Sequence, residues 1–414
     1  MENYTIIIFI MAIMIGLSAM ADKVKLPYPV LLIVAGIGLG FIPAMPAVVL
    51  NHDIVFLIFL PPLLYDAAFN ISFQEFRTHL NTINTLAISL VFITASGIAV
   101  TAWLLMPGIT WPLAFVLGAI LSATDAVAAM SITKGLGLSH KTVTILEGES
   151  LVNDASALVA YRFAVAAVTG TAFVFWKASL EFVLLMAGGF LIGFVMSKIL
   201  GLVLFRVRKN AMVTISFMLL MPFVTYLLAE ELHVSGVIAV VILGLGIARF
   251  SNRIFRDDLK QQSRSIWEVI IFLLNGLIFI LIGLQLPYVT KNIPDNQLWP
   301  YIGYAFLITI VTLVLRMARV FLQQVNLDRA FQSKRHRVTE HALLDFKTSL
   351  IISWSGMRGI VSLAIAIGLP LTLKDGSPFP MRDAIIFISV VVVLFTLIGQ
   401  GLTLPLIVKW LQKK

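Results

Sequence analysis

Four polar residues lie close together inside one apolar segment of the chain: Glu149, Ser150, Asn153 and Asp154. Ser150 and Asp154 are four residues apart, as are Glu149 and Asn153, so in a helix each pair shares a face. A carboxylate and a hydroxyl on one face are hard oxygen ligands, which suit alkali cations and protons rather than zinc or copper. From the start of the segment near Thr142, Asp154 is about 18 Å along a helix, near the middle of a bilayer. An acid at that depth predicts a functional site.

Two other apolar segments each carry one charge beside residues that weaken a helix. The fifth segment contains Ser122-Ala123-Thr124-Asp125, and the twelfth contains Ser353-Trp354-Ser355-Gly356-Met357-Arg358-Gly359. Ser, Thr and Asp side chains compete for backbone hydrogen bonds, so these sites predict interrupted helices. Such interruptions are tolerated inside a membrane where they line a cavity. We expect Asp125 to compensate the N-termini of the half-helices and Arg358 their C-termini.

Asp66 is a further acid within an apolar segment, where it follows Pro61 and Pro62. We predict it to be a second oxygen donor, acting through water. No resident cofactor is expected, because the chain has no cysteine and its six histidines lack metal-binding spacing.

The composition excludes a soluble globular protein, since 59% of the 414 residues are hydrophobic and only 12% are charged. A membrane-spanning helix needs about 20 apolar residues. Segments of that length number thirteen in the sequence and form one membrane domain, residues 1–414, with no soluble domain. They cover residues 4–21, 28–48, 53–70, 83–105, 111–133, 142–168, 176–205, 210–229, 233–250, 264–286, 299–324, 347–369 and 382–410.

The fifth and twelfth segments occupy corresponding positions if the chain contains two inverted six-helix repeats around an unpaired seventh segment. Interrupted segments in corresponding positions of inverted repeats are typical of the substrate site of secondary transporters. The sequence therefore predicts an all-α integral membrane protein of about 13 transmembrane helices, with two discontinuous helices that cross.

The basic residues indicate membrane topology rather than nucleic-acid binding, although the formal net charge is +9. Lysines and arginines concentrate in alternate short loops, as expected for loops on the cytoplasmic side. This distribution predicts an N-terminus outside and a cytoplasmic C-terminus, with Arg316 and Arg319 among the cytoplasmic charges. Membrane lipids are the expected surroundings, and no nucleic-acid partner is expected.

Four motifs together resemble one transporter family. They are Leu60-Pro-Pro-Leu-Leu-Tyr-Asp-Ala-Ala68, Ser122-Ala-Thr-Asp-Ala-Val127, Leu146-Glu-Gly-Glu-Ser-Leu-Val-Asn-Asp-Ala155 and Trp354-Ser-Gly-Met-Arg-Gly359. The chain resembles the bacterial sodium/proton antiporters of the NhaP/NHE type, in monovalent cation:proton antiporter family 1. The resemblance implies a homodimer in the bacterial cytoplasmic (inner) membrane that serves pH homeostasis. It also implies a mobile core, approximately residues 53–168, 264–286 and 347–410, that moves against a dimerisation scaffold formed by the other helices.

The resemblance also implies roles for individual residues. Asp154 would bind either the cation or the proton, and Ser150, the Thr124 carbonyl and Asp66 would complete the shell of the transported Na⁺. Asp66 stands where relatives often have glutamate, so its shorter side chain favours ligation through water.

Four more residues would form the scaffold of this site. By the same resemblance, Asn153 and Asp125 hold the unwound region, and Glu149 pairs with Arg358. An Asn153-Asp154 pair, rather than two adjacent aspartates, is the pattern of the electroneutral branch of the family. One cation is therefore expected to exchange for one proton.

The predicted function is secondary active exchange of a monovalent cation for H⁺, with both competing for Asp154. Sodium is the first choice of cation, with lithium and potassium left open. The alternative is a cation channel or a sodium-coupled solute symporter on a related inverted-repeat fold. An enzyme is not expected: Tyr65-Asp66 matches half of an intramembrane aspartyl-protease pair, but the chain has no Gly-x-Gly-Asp partner.

Overall fold

The structure is a computed structural model of the whole chain, and it describes residues 3–24, 28–42, 52–133, 136–169, 175–333, 339–373 and 375–412. The end of the second predicted segment, residues 43–48, lies outside the described residues.

The described residues up to 168 form nine α-helices. They are α1 (Asn3–Val24), α2 (Tyr28–Gly40), α3 (His52–Asn70), α4 (Phe73–Thr78), α5 (Leu80–Asn84), α6 (Leu90–Leu105), α7 (Trp111–Ser122), α8 (Ala126–Thr133) and α9 (His140–Val168).

Nine more α-helices follow among the described residues after 168. They are α10 (Phe175–Val207), α11 (Ala211–Glu231), α12 (Gly236–Ile254), α13 (Asp257–Lys291), α14 (Asp295–Gln332), α15 (Phe346–Trp354), α16 (Ile360–Ile367), α17 (Arg382–Phe395) and α18 (Gly401–Gln412).

Two π-helical turns join neighbouring helices into longer rods. Thr85–Ser89 connects α5 to α6, and Thr396–Gln400 connects α17 to α18. Within the described residues, the β-type pairing consists of a single antiparallel bridge between Thr372 and Pro378. The protein is therefore all-α, as the sequence predicts.

The helices have the length and composition of membrane spans. Among the described residues, seven helical rods are long and apolar enough to cross a membrane, and five shorter apolar helices accompany them. In a bilayer the backbone groups must be satisfied inside the segment, which a helix achieves by itself. The protein is a multi-pass membrane protein. The predicted number of about 13 spans stays a prediction.

Short polar residues determine where several of these helices begin. The side-chain oxygens of Ser139, Asn210 and Ser235 accept hydrogen bonds from backbone amides in the first turns of α9, α11 and α12. Each satisfies one of the four amides that a helix N-terminus leaves without an intrahelical partner. The cap at Ser139 sets the start of α9, the helix that carries the predicted acid.

The chain forms two compact units. The first unit contains Met1–Leu50, Thr78–Gly170 and Asn275–Lys414, and the second contains Asn51–Arg77 and Thr171–Leu274. The predicted division into a transport core and a dimerisation scaffold has other boundaries. The compact units reflect which residues contact one another, whereas the predicted core and scaffold are defined by how they move. The predicted division therefore stays a prediction.

The interior of the first unit contains an apolar cluster that links six of its elements. The cluster joins the π-helical turn at Thr85–Ser89 to α6, α8, α9, α14 and α15, in the region next to the two predicted interruptions. Its buried members include Leu86, Leu90, Ala126, Ile145, Leu146, Val320, Leu327, Leu344 and Ile352. Because protein interiors are close-packed, this cluster fixes the helices that carry the polar residues relative to one another.

The second unit is built on close helix contact and aromatic packing. A side chain at Gly193 of α10 would overlap the Ala239 carbonyl of α12, so the two backbones approach closely. Small residues commonly allow such contact between membrane helices. Tyr65 of α3 packs its ring on Phe69 and on Trp267, with ring centroids 5.8 Å and 5.1 Å apart respectively.

Candidate functional site

Two spans of the first unit are interrupted where the sequence predicts. Helix α7 ends at Ser122 and α8 begins at Ala126, and residues 123–125 between them are not helical. Helix α15 ends at Trp354 and α16 begins at Ile360, leaving residues 355–359 outside a helix. Each interruption leaves backbone amides and carbonyls without intrahelical partners.

The two interruptions contact each other. The backbone amide of Asp125 donates to the carbonyl of Met357 over 2.8 Å. The Ser362 hydroxyl of α16 donates to the carbonyl of Ala123 over 3.4 Å. The discontinuous helices therefore meet at their non-helical residues, and each satisfies part of the exposed backbone of the other.

The Asp125 carboxylate lies at the N-termini of two half-helices. Its Oδ1 accepts from the amide of Ala128 in α8 at 3.2 Å, and its Oδ2 accepts from the amide of Ile360 in α16 at 3.3 Å. A negative charge is favourable at a helix N-terminus, where the helix dipole is positive. A Cβ atom at Gly359 would overlap this carboxylate, so the contact requires glycine there.

Helix α9 supplies three polar partners to the first interruption. The Ser150 hydroxyl donates to the Thr124 carbonyl at 2.9 Å and accepts from the Ala126 amide at 3.3 Å. The Asn153 side-chain amide donates to the Thr124 hydroxyl at 2.6 Å, and that hydroxyl donates to Glu149 at 3.3 Å. Three α9 side chains that the sequence singled out therefore hold one non-helical residue in place.

Asp154 is buried beside this network. Asp154 is only 8% exposed, and within the described part of the chain its Oδ1 has no hydrogen-bond partner. A buried acceptor without a partner carries a desolvation cost of about 1–3 kcal/mol, and more if it is charged. Among the described residues, no group of three or more His, Asp or Glu side chains could hold a metal ion.

Glu149 forms a buried ion pair with Arg316 of α14. Arg316 Nη1 contacts Glu149 Oε1, Nη2 donates to Oε2 at 2.8 Å, and Nε donates to the Ile352 carbonyl at 3.0 Å. The two side chains are only 2% and 1% exposed. The expected pair between Glu149 and Arg358 is therefore wrong. The reason is that α14 places its arginine directly against Glu149, where the planar guanidinium binds both carboxylate oxygens.

Arg316 is the site residue that sequence reasoning missed. We assigned it to the cytoplasmic charges, whereas the structure buries it within the long helix α14. A Cβ atom at Gly356 would overlap the Arg316 side chain, so this arginine also fills space at the second interruption. The signal was present: Arg316 lies inside the predicted segment 299–324, and an arginine within an apolar span normally has a specific partner.

Arg358 lies at the second interruption and is 2% exposed. Its Nη1 donates to the carbonyl of Gly356 at 2.7 Å, and its backbone amide donates to the Thr396 hydroxyl at 3.1 Å. Thr396 is the first residue of the π-helical turn between α17 and α18. The guanidinium therefore donates a hydrogen bond to a carbonyl just beyond the C-terminus of α15, where the helix dipole is negative.

Asp66 belongs to the second unit, in α3. Its carboxylate accepts a hydrogen bond from Asn70 at 2.9 Å, and the same amide group donates to the Asp66 carbonyl at 3.0 Å. The role of Asp66 in cation binding stays a prediction.

Residues 7–410 match the family model described as sodium/hydrogen exchanger, transmembrane. The chain belongs to the sodium/hydrogen exchanger family. The match covers both interruptions and α9, and it confirms the resemblance inferred from the four motifs. This is a family of transporters rather than enzymes.

Two relatives in this family have described transport activities. The chain is 38% identical over 391 residues to the sodium, potassium, lithium and rubidium/H⁺ antiporter of Bacillus pumilus. It is 33% identical over 413 residues to the antiporter of the same description from Bacillus subtilis. These alignments cover 92% and 97% of the chain but only 58% and 61% of the relatives, which are longer.

A solved structure shows the same fold. The sodium proton antiporter MjNhaP1 from Methanocaldococcus jannaschii superposes with a TM-score of 0.76, at 19% identity and over 99% of each chain. The predicted all-α antiporter fold with discontinuous helices is confirmed.

Proposed function

We propose that this protein exchanges a monovalent cation for protons across a membrane, with both ions binding in turn at Asp154. The observation that carries the proposal is the buried Asp154 Oδ1, which has no hydrogen-bond partner among the described residues and belongs to the helix whose Ser150 and Asn153 bind the first interruption. An unpaired charge inside a membrane is costly, so this carboxylate binds a proton or a cation rather than neither. Because the cation and the proton compete for Asp154, the transport of one is coupled to the transport of the other.

The oxygens next to the first interruption support a cation site. The Ser150 hydroxyl oxygen and the Thr124 carbonyl oxygen each accept one hydrogen bond, from Ala126 and from Ser150 respectively. Each of these oxygens has two lone pairs, so one lone pair on each stays available for a cation. The hydrogen bonds meanwhile hold both oxygens in place, which favours binding without a large ordering cost.

The other acids of the site support a stoichiometry of one cation per proton. Glu149 is neutralised by Arg316, and Asp125 accepts from the amides of two half-helices. Neither carboxylate is in a position to exchange ions without breaking the scaffold. Asp154 is then the exchanging carboxylate of the first unit, and exchange is electroneutral.

We extend the proposal to the cation and to the surroundings of the protein. Sodium is the proposed cation, with lithium and potassium as alternatives, since relatives named for four alkali cations share a third or more of their aligned residues with this chain. The proposed location is a bacterial cytoplasmic membrane, as a homodimer with the N-terminus outside. Asp66 is proposed as an additional oxygen donor through water.

The decisive experiment measures proton flux in proteoliposomes that contain an internal pH dye. Sodium, lithium or potassium is added with the membrane potential clamped or free. The wild type is compared with Asp154→Asn and with Asp257→Asn, a matched control that removes an exposed acid at the start of α13.

Cation-triggered proton flux that is insensitive to voltage, lost in Asp154→Asn and kept in Asp257→Asn, supports electroneutral exchange at Asp154. Voltage-sensitive flux contradicts the one-to-one stoichiometry. Exchange that persists in Asp154→Asn contradicts the assignment of the ion site. Cation movement without coupled protons indicates the channel or the symporter instead.

A further inference from the structure

Arg382, the first residue of α17, binds the C-terminal end of the half-helix α16. Its Nε donates to the carbonyl of Leu369 at 3.0 Å, and its Nη2 donates to the carbonyl of Ile367 at 3.1 Å. The last carbonyls of a helix have no intrahelical partner, and the helix dipole is negative at that end. A fixed guanidinium therefore satisfies the last carbonyl of α16, on Ile367, together with one two residues beyond it, and opposes the dipole at the same time.

Helix α16 is consequently held by opposite charges at its two ends. Asp125 accepts from its first amide, on Ile360, and Arg382 donates to its last carbonyl, on Ile367. The helix has only eight residues, so a shift at one end moves the other end by nearly the same amount. The position of Arg382 therefore affects where the Ile360 amide meets Asp125.

Other elements of the first unit hold Arg382 and the end of α16 in place. The neighbouring Asp383 accepts from Asn292, the residue that follows α13, at 3.0 Å and lies 3.7 Å from Arg382 Nη1. The Tyr161 hydroxyl of α9 donates to the carbonyl of Gly368 at 3.4 Å. Helices α9 and α17 thus both contact the C-terminal end of α16, opposite to the end that contacts Asp125, and Asn292 binds the residue next to Arg382.

We propose that Arg382 is a positioning residue for ion exchange: by fixing the C-terminus of α16, it sets the contact between the two interruptions and hence the affinity of the cation site. This proposal rests on the proposed function. Arg382 does not touch the transported ion. Its removal weakens cation binding because the acid at the other end of α16 loses a fixed partner.

The test measures sodium-dependent proton flux for Arg382→Gln, Arg382→Lys and the wild type in the same proteoliposome preparation. Lys291→Gln is the matched control, because it removes an exposed positive charge next to Asn292. For Arg382→Gln we expect the apparent KM for sodium to rise about fivefold, with the maximal rate nearly unchanged, as for a lost charge at a helix C-terminus. Arg382→Lys keeps the charge but not the two-pronged geometry, so a rise of about twofold is expected. Lys291→Gln retains the wild-type KM.

A second measurement separates positioning from a general loss of structure. Sodium is expected to raise the melting temperature of the detergent-solubilised wild type and Lys291→Gln, and to do so less for both Arg382 variants at equal sodium concentration. An unchanged KM in both Arg382 variants overturns the proposal, as does a fall in maximal rate alone. The absence of sodium-coupled flux in the wild type overturns the proposed function and this inference with it, whereas an active wild type matched by Arg382→Gln overturns the inference alone.

Discussion

The two interrupted helices of the first unit are stabilised by different chemistry. The interruption between α7 and α8 is held mainly by two neutral side chains of α9, Ser150 and Asn153, which bind the Thr124 carbonyl and hydroxyl, although that hydroxyl also donates to Glu149. The interruption between α15 and α16 is surrounded by charge: Arg358 donates to Gly356, and Arg316 packs beside the same glycine while paired with Glu149.

This difference separates ion binding from scaffolding. Neutral hydroxyl and carbonyl oxygens bind an alkali cation without cancelling its charge, which suits the interruption bound by α9, the helix that carries Asp154. A buried ion pair contributes little net stability, but it is very costly to break and therefore constrains the arrangement of the helices that carry it. We infer that the first interruption provides the exchange site and the second provides the frame.

The largest expected effect comes from breaking the frame. Arg316→Met leaves Glu149 as an uncompensated buried charge, which destabilises the fold by about 3–5 kcal/mol. We expect a markedly lower melting temperature in detergent and little folded protein. Arg319→Met is the matched control, since Arg319 lies one turn further along α14 and donates to the Ser89 hydroxyl. Equal melting temperatures for the two variants would contradict a structural role specific to Arg316.

An intermediate effect is expected where the two interruptions meet. Gly359→Ala places a methyl group against the Asp125 carboxylate and forces the crossing apart, at a cost of about 1–3 kcal/mol. Sodium-dependent proton flux should fall strongly even though folded protein is recovered. The control is Gly303→Ala in α14, where an added Cβ meets nothing within 4 Å. Wild-type flux in Gly359→Ala would show that the crossing tolerates movement.

The smallest effect is expected at the neutral side. Ser150→Ala removes one hydroxyl oxygen and its bond to the Thr124 carbonyl, a loss of about 1 kcal/mol in stability. The apparent KM for sodium should rise severalfold while the fold is retained. Ser156→Ala, which removes a buried α9 hydroxyl bonded to the Val152 carbonyl of its own helix, should leave the KM unchanged. If both variants behave alike, Ser150 is not a cation ligand.

The sequence predicted the architecture of the site better than its contacts. Both interruptions appear where Ser, Thr, Asp and Gly weaken the apolar segments, and Asp125 lies at half-helix N-termini. The predicted pairing of Glu149 with Arg358 is wrong, because Glu149 pairs with Arg316. Arg316 itself was predicted to be one of the cytoplasmic charges. Counting basic residues by loop assigns an arginine near the end of a span to the adjacent loop. Whether its side chain is buried depends instead on the face of the helix that carries it.

Local sequence determined the helices and the places where they stop, because a hydroxyl, a carboxylate or a glycine acts on its own backbone within a few residues. It also predicted acids near the middle of membrane-length apolar segments, since that follows from segment length alone. Tertiary structure decided which charges meet. Glu149 and Arg316 are 167 residues apart in the chain, and their contact depends on the rotation and packing of α9 and α14, which no local pattern specifies.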